Sequence, residues 1–359
     1  MKLPFLPGLK SNTSVVGLDI GSSSVKAVEL RPVGEGYELV RLGYSVLPPE
    51  AIVQGAFLNT TAIVDAIREA MDGAGIRGRD VATAISGHSV IVKKITLAKM
   101  SRAQLDESIR WEAEQYIPFD VNEVNLDFQI LETARSEGQM DVLLVAAKKD
   151  LLDDYVQVIA EAGYTAHVVD VAGFAVENAW EANAEPGSSA VIALANIGSQ
   201  VSNINVVNGG VPVFTRDVAL GGNLYTEEIQ KTLSIGFEEA ERIKIGDADV
   251  QSKDVVPKEV EQSMRQVTSQ IVGEIARSLE FYAATAEDGN ISKIVLAGGS
   301  ANVSGLAAAF QDRMDVAVEV MNPVERVRVG SGVDPKRLED LRPALAVGIG
   351  LAMRRLDEK

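Results

Sequence analysis

Val15-Val-Gly-Leu-Asp-Ile-Gly-Ser-Ser-Ser-Val-Lys-Ala-Val-Glu-Leu30 is the stretch from which the chain is best read. Val15 to Leu18 is a short, β-branched apolar run, the pattern of a buried strand. Asp19 places a carboxylate at its end. Gly21, Ser22, Ser23 and Ser24 form a tight turn, and Val25 to Leu30 returns as a second strand. A strand–turn–strand with bare amides and hydroxyls at its tip is a nest for phosphate oxygens. Asp19 is placed to hold Mg²⁺ through water, because a phosphate-bound Mg²⁺ keeps most of its hydration shell. An ordinary Gly/Ser hairpin has the same composition, so what counts is whether the pattern recurs.

It recurs at Val191-Ile-Ala-Leu-Ala-Asn-Ile-Gly-Ser-Gln-Val-Ser-Asn-Ile-Asn-Val-Val207. Asn196-Ile197-Gly198-Ser199 lines up with Asp19-Ile20-Gly21-Ser22 without a gap. The duplication predicts two similar halves facing each other, each offering a phosphate-gripping turn. A third element, Lys293-Ile-Val-Leu-Ala-Gly-Gly-Ser-Ala-Asn-Val-Ser-Gly305, ends a strand in Gly298, Gly299 and Ser300 before a helix. Paired glycines there let a flat ring lie on the backbone, and the helix start favours anionic groups.

In this order the three elements resemble the phosphate-1, phosphate-2 and adenosine motifs of the actin-like ATPase superfamily, which includes actin, heat-shock chaperone ATPase domains and sugar kinases. Glu241-Arg-Ile-Lys244 carries Glu241 and Lys244 on one helical face. It resembles the glutamate and lysine that flank ribose and adenine in the chaperones. Leu220-Gly-Gly-Asn-Leu-Tyr225, with Gly221, Gly222 and Asn223, resembles the glycine turn before their second small subdomain. The resemblance implies an α/β fold of two duplicated halves around a nucleotide cleft, holding ATP or ADP with Mg²⁺.

Composition is consistent with this. The chain has 359 residues, 46% of them hydrophobic, enough for one large or two medium domains with real cores. It has no cysteine, which excludes a disulfide framework and thiolate chemistry, and only two histidines, His88 and His167. A net charge of −17 argues against a nucleic-acid partner. No signal peptide or apolar run of membrane-spanning length is visible, so a cytoplasmic location is expected.

Read in order, residues 1–14 are an N-terminal arm whose Leu3, Phe5, Leu6 and Leu9 are expected to pack on the body. Residues 15–87 and 171–190 form the first large subdomain, with a helix over Thr60 to Ala74 stopped by Gly75. Residues 88–170 read β-α-β-β-α-β, a small split-βαβ insert. Its first helix starts with a Ser101/Gln104 capping box and turns Leu105, Ile109, Glu112 and Tyr116 to one face. A polar turn, Arg135-Ser-Glu-Gly138, separates its two middle strands. Residues 191–225 and 293–359 form the second large subdomain and 226–292 the second small one. In the latter, Val260, Met264, Val267, Ile271, Ile275 and Leu279 make a core stripe on a long helix. Ala344-Leu-Ala-Val-Gly-Ile-Gly350 reads as a small-residue helix that approaches the first half closely.

An insert of this kind is found in FtsA and its relatives. Glu114-Gln-Tyr-Ile-Pro-Phe119 narrows the resemblance to the PilM family, the actin-like proteins of type IV pilus assembly, over nearly the whole chain. That resemblance implies a cytoplasmic assembly protein held at the inner membrane through partners. Its main partner would be the cytoplasmic N-terminal segment of PilN. Contacts with PilO, PilC or the motor ATPases would be secondary, and self-association is admitted. Two other readings compete: an FtsA-like cell-division filament protein, and a small-molecule kinase of the same superfamily. The first calls for a C-terminal amphipathic membrane helix, which Leu351 to Lys359 is too short to supply; the second calls for an acceptor site, which is not identifiable.

The chemistry expected is binding with at most slow ATP hydrolysis. Actin-like ATPases usually place an aspartate where this chain has Asn196, and a neutral amide orients hydrated Mg²⁺ and water less well. Lys26 reads equally as a phosphate ligand or as part of a solvated face. Asp170 and Glu177 lie near the expected first connecting helix, and neither qualifies as a catalytic base, so the catalytic residue is unassigned.

Overall fold

The computed structural model describes residues 14–131, 138–184, 190–246, 258–286 and 289–356. The body of the N-terminal arm and residues 135–137 of the polar turn lie outside them.

The chain begins with a meander, β1 (Val16–Ile20), β2 (Ser24–Val33) and β3 (Gly36–Val46). A small hairpin, β4 (Ile52–Val53) and β5 (Ala56–Phe57), leads to helix α1 (Thr60–Gly73) and strand β6 (Asp80–Ile85). Asn59 caps α1 by accepting from the Ala62 amide, and Ile63, Ala66, Ile67 and Ala70 form its buried stripe. The insert follows as β7 (Val90–Ala98), α2 (Arg102–Ala113), β8 (Val124–Leu131) and β9 (Gln139–Lys148). Next come α3 (Lys149–Ala162), β10 (Thr165–Val171) and α4 (Ala172–Asn183), which leads into the second half.

The second meander is β11 (Val191–Ile197), β12 (Ser202–Asn208) and β13 (Val211–Val218). Among the described residues α5 (Asn223–Leu233), α6 (Phe237–Ile245) and α7 (Lys258–Thr285) follow. The chain returns through β14 (Lys293–Ala297), α8 (Leu306–Met314), β15 (Ala317–Val320) and β16 (Arg328–Val329). It closes with α9 (Pro335–Leu341) and α10 (Ala346–Ala352).

The duplication read from the two hairpins extends to the whole sheets. One sheet runs β10-β6-β1-β2-β3-β16, the other β13-β12-β11-β14-β15. In each, an antiparallel meander is followed by two strands added parallel to its first strand: β6 and β10 in one half, β14 and β15 in the other. Gly21 N–H donates to Ser24 C=O, and Gly198 N–H to Val201 C=O, both at 3.1 Å, so the turns close by the same bond. A core of Ala82, Ala172, Ala175, Ile192, Leu194, Val295, Val347 and Leu351 draws on both halves. Within that seam, a Cβ on Gly17 would lie 2.2 Å from Gly348 O, and one on Gly350 would lie 1.8 Å from Ala175 O. These glycines are required because backbone meets backbone there.

The split-βαβ reading of residues 88–170 needs correction. Among the described residues the insert is a three-stranded sheet, β7-β9-β8, covered by α2. Helix α3 turns Tyr155, Val158, Ile159 and Ala162 into the same core as α1, and β10 pairs parallel with β6 in the large sheet. The capping box at Ser101 and Gln104 forms as expected, but Ala113 rather than Glu112 completes the buried stripe with Leu105 and Ile109. The long helix α7 serves two cores. Val260 meets Ile229 and Ala240 in the small subdomain, while Val267, Ile271, Ile275 and Leu279 pack beneath the second sheet.

Candidate nucleotide cleft

The two turns meet. Ser22 Oγ and Ser199 Oγ are 2.6 Å apart, joining residues far separated in sequence across the line between the halves. Beside them, the Gln200 side chain donates to Ile52 C=O at 2.8 Å and accepts from Gln54 N–H at 3.0 Å, so it clamps the β4–β5 hairpin. On the opposite flank, Gly87 N–H donates to Asp217 Oδ2 at 2.5 Å.

Behind the first turn, Asp19 and Lys26 stand opposite each other in the β1–β2 register and form an ion pair of 3.2 Å. Lys26 is buried, so its reading as part of a solvated face is corrected. The pair removes most of the cost of an isolated charge at the strand end. Tyr155, delivered by α3, stays protonated well above the usual tyrosine range, chiefly through burial and secondarily through the Asp19 carboxylate. It is a neighbour of the site that sequence reading missed.

Behind the second turn the same register positions carry amides. Asn196 Nδ2 donates to Asn203 Oδ1 at 2.8 Å, and Asn203 Nδ2 donates to Asp217 Oδ1 at 2.8 Å. Asp217 is raised above the usual aspartate range by burial, opposed by the Asn203 and Gly87 hydrogen bonds. Asn203 was findable: seven residues separate Asp19 from Lys26 and also Asn196 from Asn203. Asp217 and Gln200 carried no comparable signal.

The remaining second-half candidates converge on Gly198. Its carbonyl accepts from Gly222 N–H at 2.9 Å and from Ser300 Oγ at 3.0 Å, while Asn223 N–H reaches Ser199 C=O at 2.8 Å. A Cβ on Gly221 would lie 2.5 Å from Gly198 O, and one on Gly222 would lie 2.3 Å from Ser300 Oγ. Gly298 has φ +86°, and a Cβ there would meet Ile197 O and Asn196 Oδ1. Gly299 lacks that constraint, since its Cβ would find only Ala344 Cβ at 3.9 Å. On α6, Glu241 and Lys244 pair at 2.7 Å. Thr226 bridges them by donating to Glu241 at 2.6 Å and accepting from Lys244 at 3.1 Å, and Lys244 Nζ also reaches Gly222 C=O at 3.4 Å.

Neither Asp170 nor Glu177 is free to act on the turns. Asp170 accepts from the Arg354 guanidinium at 2.7 Å. Glu177 is buried and accepts from Asn205 Nδ2 at 2.7 Å; burial pushes its carboxyl up to about 8. His88 and His167 are exposed, and His167 lies 2.9 Å from Asp80.

The arrangement suits an anion gripped from two sides, with backbone-to-backbone glycine contacts holding the second grip. Among the described residues no group of three or more His, Cys, Asp or Glu side chains is gathered for a metal ion. A phosphate-bound Mg²⁺ does not need one, because it keeps most of its hydration shell. Among the described residues no helix is long and apolar enough to cross a membrane.

Comparison with known proteins agrees with this geometry. Residues 17–356 match the family described as type IV pilus assembly protein PilM. The solved structure of a PilM–PilN type IV pilus biogenesis complex contains a chain 30% identical, with a TM-score of 0.84, covering 96% of this chain and 99% of that one. The ethanolamine utilization protein EutJ from Carboxydothermus hydrogenoformans shares the fold at a TM-score of 0.56 and 16% identity, over 97% of this chain and 90% of its own. Cell division protein FtsA of Bacillus subtilis (strain 168) is 23% identical over 355 residues, 88% of this chain and 80% of its own. The fold is the actin-like one.

Proposed function

Because the chain belongs to the PilM family of type IV pilus assembly proteins, we propose that it binds ATP with Mg²⁺ in the cleft between its halves and the cytoplasmic N-terminal segment of PilN on its inserted subdomain. It would work in the cytoplasm, held at the inner membrane through that partner. The observation that supports the cleft is the meeting of the duplicated turns at Ser22 and Ser199. In that contact the hydroxyls satisfy each other, so a phosphoryl group entering between them must part the turns. Ser22, Ser23, Gly198 and Ser199 would then line the phosphates. Asp19 and Lys26 would face Mg²⁺ and phosphate respectively. Gly298, Gly299 and Ser300 would carry the base, and Glu241 and Lys244 the ribose side. Mg²⁺ would neutralise phosphate charge. Asn196 donates its amide to Asn203, which gives it no proton-accepting role and fits slow turnover at most.

For the partner, the supporting observation is the 30% identical chain solved together with PilN. Among the described residues β8 is an edge strand of the insert, and that edge would offer backbone groups to an extended segment. The test pairs two titrations on the full chain: a fluorescent PilN N-terminal peptide, and ATP-Mg²⁺ by calorimetry. Saturable binding of both is expected, and Gly299→Trp should abolish the ATP heat while leaving the peptide signal. A peptide that fails to bind wild type sinks the partner reading. An unchanged ATP isotherm in Gly299→Trp sinks the base site.

A further inference from the structure

The hydrogen bonds behind the second turn have a direction. An ionised carboxylate only accepts, and Asp217 accepts at both oxygens, one from Asn203 and one from the Gly87 amide. Asn203 must therefore turn its nitrogen to Asp217 and its oxygen to Asn196. Asn196 must in turn present its nitrogen. Asn196 Oδ1 is then left facing the Gly298 backbone. The series begins at the Gly198–Ser199 turn and ends in the other half, on Gly87 just before β7. Gly87 has φ +94°, a conformation only glycine adopts readily, so the amide's aim is set by the backbone. Here too, as at Ser22–Ser199 and the Gln200 clamp, the halves touch through polar groups.

We propose that Asn196, Asn203 and Asp217 form a relay of fixed polarity tying the Gly198–Ser199 turn of the second half to Gly87 at the root of the inserted subdomain, so that a ligand at the turn changes the hold on Gly87. The second clause rests on the nucleotide reading of the cleft; the first does not. The relay also accounts for an amide at position 196. A carboxylate there would face Asn203 Oδ1, acceptor against acceptor. Turning Asn203 over would move the same conflict to Asp217. With an amide at 217 as well, the series can run backwards. Asn203 then donates to the carboxylate at 196, the amide at 217 donates to Asn203, and its oxygen still accepts from Gly87. Asp217→Asn alone is tolerated, because all three amides can turn over together.

Hydrogen exchange at the Gly87 amide and the thermal midpoint of the full chain test this. Asn196→Asp is expected to speed Gly87 exchange about tenfold and lower the midpoint. Asp217→Asn should stay near wild type, and the double variant should return to it. A wild-type-like Asn196→Asp protein, or a double variant no better than Asn196→Asp, overturns the relay. For the coupling, ATP-Mg²⁺ should alter Gly87 exchange in wild type and in the double variant, but not in Asn203→Leu, with ATP binding in all three followed by calorimetry. ATP that binds wild type yet leaves Gly87 exchange unchanged overturns the coupling. ATP that does not bind at all fails the nucleotide reading and the coupling with it, whereas the relay stands or falls on the swap.

Discussion

Lys26 stands opposite Asp19 in one hairpin, and Asn203 stands opposite Asn196 in the other. Two residues further along the returning strands the contrast repeats: Val28 is buried among apolar groups, while Asn205 reaches Glu177. The backbones and turn bonds of the two hairpins match. The difference teaches that the duplicated scaffold sets where a polar pair must sit, not how it is satisfied. In the first half charge is cancelled within the hairpin. In the second, neutral amides pass the demand outward until it reaches an acidic side chain, at Asp217 for one series and at Glu177 for the other. The first hairpin is self-contained, and the second depends on its neighbours.

Removing the partner on each side should break that comparison most sharply. Lys26→Met leaves the half-buried Asp19 carboxylate without its counter-ion and should cost about 3 kcal/mol in urea unfolding. Asn203→Leu leaves one acceptor and one donor short, both neutral or already bonded elsewhere, and should cost nearer 2 kcal/mol. Equal losses would mean that the charge in the first hairpin confers no special dependence.

Glu177 sharpens the comparison through pH. Its carboxyl holds its proton to about 8 in the fold, against an ordinary value of 4.5. Between those values the unfolded chain has released the proton and the folded one keeps it. The stability this group contributes is therefore full below about pH 4.5 and is lost as pH rises through about 8. Glu177→Gln keeps a group able to accept from Asn205 and cannot ionise. It should flatten that decline and exceed wild type by about 4 kcal/mol at pH 8.5, read from denaturant midpoints across pH.

Smaller effects belong to the contacts between the halves. Gln200→Ala removes two hydrogen bonds to exposed or half-buried backbone and should cost about 1 kcal/mol. It should also raise the association rate of a fluorescent ATP analogue in stopped flow, because the clamp no longer resists parting of the turns. Ser22→Ala and Ser199→Ala share one bond, so either should cost about 0.5 kcal/mol and the pair little more than one alone. Additive losses would show that each hydroxyl has a separate partner.

What could be read from the sequence follows the range of each interaction. The turns, the Ser101 cap, the α1 stripe and the glycine-rich helix Ala346–Ala352 are patterns within a dozen residues, and each forms. That the two turns face each other followed from duplication alone, whereas the direct contact of Ser22 with Ser199 did not. Periodicity shows that α3 has an apolar face but not which sheet it covers, and so α3 and β10 went to the wrong layer. Asp217 and Gln200 were invisible because their partners lie in other segments and neither has a local signature. Lys26 was ambiguous for a related reason: a lysine on a returning strand reads as solvated until its opposite residue is known.

The close fit of Gly348 and Gly350 also bears on how the chain is made. Helix α10 lies on β1, at the far end of the sequence, and supplies Ala346, Val347, Ile349 and Leu351 to cores that the first half cannot close alone. During synthesis the first sheet emerges early and waits with one face uncovered until residues 346–352 have left the ribosome. At about 5–20 residues per second that wait lasts tens of seconds, with a hydrophobic surface exposed throughout. A nascent chain built this way is a natural client for chaperones, and the same glycines that let two backbones touch in the finished protein make the arrival of a distant helix the step that seals the first sheet.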